Sequence, residues 1–146
     1  MTAIYNGQSF STPLLAHWAA FFDLAGWRWS TNIAPVGDWK PDFSVSFDCG
    51  HSECGGSHTI LVTVLPVGDV SSIQGHPALA DGYNQMIQDQ GVADAGAVFG
   101  ANPTATYWDM AHGSGSGSED VKHWVDDAAT LWREAQDKVQ TLPQPT

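Results

Sequence analysis

The segment Cys49-Gly50-His51-Ser52-Glu53-Cys54-Gly55-Gly56-Ser57-His58 places two thiols and two imidazoles within ten residues. Zn²⁺ is held by four N or S donors in a tetrahedron, and three glycines let so short a loop wrap around an ion. Cys49, His51, Cys54 and His58 thus match a structural zinc site in number and type. The spacing C-x-H-x2-C-x3-H is not that of a standard finger or knuckle, and the single residue between Cys49 and His51 restricts their joint ligation. An unmetallated polar loop is the alternative reading. Catalytic zinc is disfavoured because four donors leave no position for water. A Cys nucleophile with a His base lacks a third group to orient the pair. No nucleotide cofactor is expected.

Charge is the second chemical feature. Sixteen acids against five Lys and Arg give a formal charge of -11, and no Lys or Arg occurs between Lys40 and Lys122. That stretch holds Asp42, Asp48, Glu53, Asp69, Asp81, Asp89, Asp94, Asp109, Glu119 and Asp120. Affinity for nucleic acid comes mainly from cations that neutralise phosphates, so such a surface repels DNA and RNA and attracts a basic protein. Asp81, Asp89, Asp94, Asp109, Glu119 and Asp120 form the expected binding surface. The competing reading is that the acids serve solubility alone. His17, His76, His112 and His123 are scattered and read as surface or packed polar residues. The tryptophans read as core, since base-stacking platforms come with interleaved Arg and Lys.

These residues need a scaffold, and 146 residues with 42% hydrophobic content suffice for one α/β domain. Thr12-Pro13 is an N-cap followed by proline at the first helical position, and an apolar run leads to Gly26: a buried helix. Trp27–Thr31 and Phe43–Phe47 alternate as half-buried strands do. Thr59–Val67 is nearly continuous in apolar residues, as a central strand covered on both faces would be, with Pro66 marking its end. Residues 78–90 predict a short helix. Ala95–Gly100 and Ala105–Met110 predict two short strands around Asn102-Pro103. Residues 113–118, a Gly/Ser repeat, read as a flexible surface loop. Ser118 reads as the N-cap of one amphipathic helix running to Val139. A proline-containing tail at 141–146 follows.

Met1–Phe10 contains no basic stretch followed by an apolar run, so a secretory signal is not expected. Nothing approaches 18 consecutive apolar residues. A reducing, cytoplasmic location follows, in which Cys49 and Cys54 are thiols or ligands rather than a disulfide.

Tyr5-Asn6-Gly7, Ala16-His17-Trp18-Ala19-Ala20-Phe21-Phe22, Gly26-Trp27-Arg28-Trp29 and Trp39-Lys40-Pro41-Asp42-Phe43 closely resemble small bacteriophage and prophage proteins of the PD-(D/E)xK nuclease-like type. Phe99-Gly100, Tyr107-Trp108-Asp109-Met110, His112-Gly113 and the last Trp-containing helix extend the resemblance over most of the chain. It implies a restriction-endonuclease-like core, a central mixed sheet flanked by helices. In that family two acids and a Lys bind divalent metal and activate water. Asp42 matches the first metal-binding Asp. Thr63 stands where the second acid belongs, Leu65 where the Lys belongs, and Leu15 where many relatives place a helical acid. Asp42 is thus a vestigial position, and without its partners it also reads as a residue capping the turn after Pro41.

The resulting expectation is a non-catalytic phage-type binding protein, whose acidic surface occupies a basic site on a host defence or nucleic-acid-processing complex in the host cytoplasm. Two alternatives stand beside it. One is an atypical metal-dependent nuclease, with Asp38 or Asp48 replacing the missing acid; the other is a phage structural or assembly protein.

Overall fold

The computed structural model describes residues 2–48, 56–69, 75–79, 87, 89, 91–112 and 115–142. The chain begins with a hairpin, β1 (Thr2–Tyr5) and β2 (Gln8–Phe10). Asn6 and Gly7 close it with φ of 51° and 79°, the pair of left-handed residues that a two-residue hairpin turn demands.

Thr12 caps α1 (Pro13–Leu24), its Oγ1 accepting the Leu15 N–H at 3.2 Å. The helix stops where Gly26 adopts φ 78°, as the sequence predicts. Trp18, Phe21 and Phe22 are fully buried, so the apolar circumference is explained by packing on two sides. One side is the main sheet; the other is the C-terminal helical segment.

The main sheet contains β3 (Arg28–Ser30), β4 (Phe43–Asp48), β5 (Ser57–Val64), β6 (Ala95–Phe99), β7 (Thr106–His112) and β8 (Gly115–Glu119), in that spatial order. β5 and β6 run parallel, and every other neighbouring pair is antiparallel. This is a mixed α+β architecture. The β4–β5 register sets Phe43 opposite Val62 and Val45 opposite Ile60, so these residues share one face with Ala97, Phe99 and Trp108, beneath α1. Leu61 and Val98 face the other way, into a second cluster with Val36, Trp39, Ala78 and Ile87. β5 is therefore covered on both faces, which its continuous apolar sequence requires. It ends at Val64, three residues short of the expected Val67. Leu65 N–H still reaches the Phe99 carbonyl, and beyond Pro66 the Val67 N–H turns back to the Leu65 carbonyl.

Four further expectations are corrected. Within the predicted loop at 113–118, residues from Gly115 onward form β8, paired with β7 from Trp108↔Glu119 to His112↔Gly115. Gly and Ser have almost no preference of their own, and the β7 ladder decides their conformation. Asp120, not Ser118, caps the next helix, its Oδ1 accepting the His123 N–H at 3.1 Å. The single helix expected to Val139 is two, α2 (Val121–Trp124) and α3 (Ala128–Asp137), separated by extended Val125 and by Asp127 at φ 57°. Periodicity missed the break because Val121, Val125, Ala128 and Ala135 all reach the same core across it. Finally, Gln140–Leu142 is no tail but β9, antiparallel to β1 in a sheet ordered β2-β1-β9. Such a pairing across the whole chain leaves no local trace in sequence. Residues 143–146 lie outside the described residues, as does most of the helix expected at 78–90; Pro77–Leu79 form a 3-10 turn.

Candidate functional site

Asp42 immediately precedes β4, and both its backbone and its side chain are fixed to β5. Its N–H donates to the Val62 carbonyl at 2.7 Å, and its Oδ2 accepts the Val64 N–H at 2.8 Å. The carboxylate thus ties the start of one strand to the end of the next. Burial pushes its pKa above the ordinary carboxylate value, while the Val64 N–H and the charge of His76 pull it down.

His76 is the residue that sequence reasoning left among scattered histidines. It comes from the segment between β5 and β6 and lies beside both Asp42 and Trp39, in edge contact with the indole at 6.4 Å between ring centroids. Its Nδ1 accepts the Ala78 N–H at 3.0 Å, so the proton of the neutral ring sits on Nε2. Burial lowers its pKa, opposed by Asp42.

Thr63 is buried, 7% exposed, because the Trp39 indole covers it and donates Nε1–H to Thr63 Oγ1 at 2.6 Å. Trp39 is held over the strand by reciprocal backbone hydrogen bonds with Val36, closed by Gly37 at φ 60°. On the same face, the Ala78 carbonyl presses on Gly96 beside the Trp39 ring, and any Cβ there would lie 2.4 Å from that oxygen. Leu65 packs against the same second cluster. Leu15 belongs to the main core under the opposite face of the sheet. The structure therefore brings together Asp42, Thr63, Trp39 and His76, and it leaves Leu15 apart.

Of the possible substitute acids, Asp48 ends β4, six residues from Asp42, roughly 20 Å away at the usual rise of a strand. It pairs with Arg28 at 3.3 Å. Asp38 is exposed in the turn before Trp39.

Among the zinc candidates, Cys49, His51 and Cys54 lie outside the described residues. His58 is buried at the β4–β5 hairpin opposite Phe47, its ring packed near Phe47 and Trp124. Its Nδ1 is 3.2 Å from Asp94 Oδ2, which also accepts the Thr59 N–H at 3.0 Å. Among the described residues, no three His, Cys, Asp or Glu side chains gather as a metal site.

The expected acidic surface divides into two groups. Asp81 lies outside the described residues, and Asp89 is exposed. Asp109 is exposed on β7, held by the Tyr107 hydroxyl at 3.0 Å and by Ser118 Oγ at 3.2 Å. Asp94, Glu119 and Asp120 each bind within the fold: Asp94 to His58 and Thr59, Glu119 to the Trp124 indole at 3.2 Å, and Asp120 to the start of α2. Asp109 pairs with Ser118 and Trp108 with Glu119, so Asp109 and Glu119 point to opposite faces of the sheet.

A cleft of about 600 Å³ opens between the Asn102-Pro103 turn and the α2–α3 break. Pro103, Val125, Ala128 and Trp132 line it, with Lys122 and Arg133 at its margin. Nothing in the linear sequence marks it, because its walls meet only through the break in the helix.

Comparison of the chain with models of known families, with curated proteins and with solved structures gives no match. Among the described residues, no helix is long and apolar enough to cross a membrane.

Proposed function

We propose that this chain is a non-catalytic binding protein of the phage type, built on a degenerate PD-(D/E)xK-like scaffold, that uses its acidic surface to engage a basic site on another protein. The observation that carries the non-catalytic part is the Trp39–Thr63 hydrogen bond. On the nuclease alignment Thr63 takes the place of the second metal-binding acid, and here that place is closed by an indole rather than open to water or a metal ion. Asp42, the one aligned acid present, spends an oxygen on the Val64 N–H. Hard cations such as Mg²⁺ need several oxygen ligands, and one carboxylate that already accepts the Val64 N–H, beside a threonine covered by an indole, does not supply them. The element order α1, β3, β4, β5 and then a parallel β6 supports the scaffold assignment. A host defence or nucleic-acid-processing complex, whose basic groove normally holds phosphates, is the partner class that fits a charge of -11.

The test has two arms. Purified protein is incubated with DNA and RNA in Mg²⁺ or Mn²⁺, and no cleavage is expected; metal-dependent cleavage abolished by Asp42→Ala overturns the reading. In parallel, tagged protein is used to capture partners from host lysate, and a nucleic-acid-binding protein released by moderate salt is expected. Capture of virion components alone supports an assembly role instead.

A further inference from the structure

We propose that the outer edge of β8 receives an extended, Lys- or Arg-rich segment of a partner protein as an additional strand of the main sheet. This rests on the reading of the chain as a binder of a basic protein, and names where and how that partner attaches.

The main sheet has two edges, β3 and β8. β3 is three residues long and carries Arg28, ion-paired to Asp48 across the strand pair. Short strands and charged side chains are the usual means by which edges are blunted. β8 is five residues, Gly115-Ser116-Gly117-Ser118-Glu119, and has no Lys, no Pro and no apolar residue. Among the described residues it pairs with β7 alone. Among the described residues no strand lies against the other side of residues 115–118, whose backbone N–H and C=O groups stand in strand geometry, the template used in recognition by strand addition.

Composition then selects the occupant. Without apolar side chains the edge offers no hydrophobic adhesion, so a neighbour is chosen by backbone hydrogen bonds and by charge. β8 lies in the stretch between Lys40 and Lys122 that has no Lys or Arg. The exposed carboxylate of Asp109 stands on the adjacent strand, directly opposite Ser118 and bonded to it. Asp120 follows β8 immediately and is partly exposed. A second copy of this chain would set two such acidic edges against each other, which like-charge repulsion opposes. An extended segment with cations on one face places them over Asp109 while its main chain satisfies β8.

The experiment measures binding of the full chain to three labelled ten-residue peptides by fluorescence anisotropy, at low and high salt, with amide hydrogen exchange on the complexes. One peptide alternates Lys with Thr, one alternates Glu with Thr, and the third is the Lys peptide N-methylated at every residue. Binding of the Lys peptide is expected, with at least tenfold weaker binding of the other two and at least tenfold slower exchange at residues 115–119. If the methylated peptide binds as well as its parent and exchange at 115–119 is unchanged, the edge proposal is overturned while attraction to basic partners stands. Failure of the Lys peptide to bind overturns the edge proposal, and capture from lysate then decides the broader reading independently. Concentration-dependent self-association that slows exchange at 115–119 assigns the edge to a second copy and also overturns it.

Discussion

His17 of α1 lies face to face with Trp132 of α3, ring centroids 3.4 Å apart and planes inclined by 17°, with its Nε2 2.7 Å from the Trp132 carbonyl oxygen. One side chain thus joins the two long helices by both a stack and a hydrogen bond. Replacing it with Ala removes a part-buried hydrogen bond and an aromatic contact, each worth about 1 kcal/mol. His17→Ala is expected to lose about 2 kcal/mol in urea denaturation, and His17→Gln, which keeps an N–H donor, about half of that. Burial lowers the His17 pKa below 6.5, against the pull of the Trp132 carbonyl. The unfolded chain therefore takes up the proton first as pH falls, so this contribution is present above about pH 6.5 and is lost as pH drops through the folded-state value. Thermal scans from pH 8 to 5 should show a smaller decline in Tm for His17→Gln than for wild type. The decline is not abolished, because His76 is shifted in the same direction.

Asp42 offers a separate test, since a structural carboxylate and a metal ligand respond differently to Asn. Its main role here is to accept the Val64 N–H, which an amide oxygen also does. Because burial raises its pKa, the ionised form is the disfavoured one in the fold, and that cost shrinks as pH falls through the folded-state pKa. Asp42→Asn should leave stability within about 0.5 kcal/mol of wild type, whereas Asp42→Ala leaves a part-buried N–H without its acceptor and should cost about 1 kcal/mol. Equal losses for both variants in chemical denaturation would contradict this assignment.

For the Cys and His loop, one zinc per chain bound by Cys49, His51, Cys54 and His58 remains the expectation, measured by elemental analysis of protein purified without chelators. The contact between Asp94 and His58 Nδ1 adds a consequence. A carboxylate on one ring nitrogen fixes the orientation of an imidazole, and loss of such a partner typically weakens metal binding by tenfold or more where that imidazole is a ligand. Asp94→Ala should therefore lower zinc affinity at least tenfold in a competition with a chromophoric chelator. Protein that contains no zinc and whose Tm is unmoved by chelator removes the site.

What sequence alone reveals here follows physical range. α1 was legible because Thr12, Pro13 and Gly26 act within one turn of its ends. β4 and β5 were legible because alternation and a continuous apolar run report directly on one or two covered faces. The failures share the opposite property. β8 exists through β7, β9 through β1, and the α2–α3 break is hidden by a pattern that stays in register with the core. At the site, Asp42 and Thr63 were identified along the chain. Of the two side chains that define their environment, the linear pattern marks Trp39 only as core and His76 only as a surface or packed polar residue. Only the turn at Gly37 and the approach of Ala78 to Gly96 bring them in.

The acidic surface gives the final prediction, because the fold sorts its members into two groups with different expected behaviour. Asp89 and Asp109 are exposed, and Asn at 109 keeps an acceptor oxygen for the Tyr107 and Ser118 hydroxyls, so Asp89→Asn and Asp109→Asn together should cost no more than about 1 kcal/mol of folding stability. If they face a basic partner, the same pair of changes should slow association, since exposed charges act mainly on the encounter rate. Asp94, Glu119 and Asp120 hold His58 and Thr59, the Trp124 indole and the α2 cap respectively. Replacing any of these by Ala should cost about 1 kcal/mol or more in stability. Binding of a captured partner should weaken steeply between low and high salt, because exposed charges are screened over about 8 Å at physiological ionic strength. The check is surface plasmon resonance across a salt series with both groups of variants, alongside urea denaturation of each. Salt-insensitive binding that survives Asp89→Asn and Asp109→Asn unchanged would reject charge-steered recognition and leave the acids with solubility as their role.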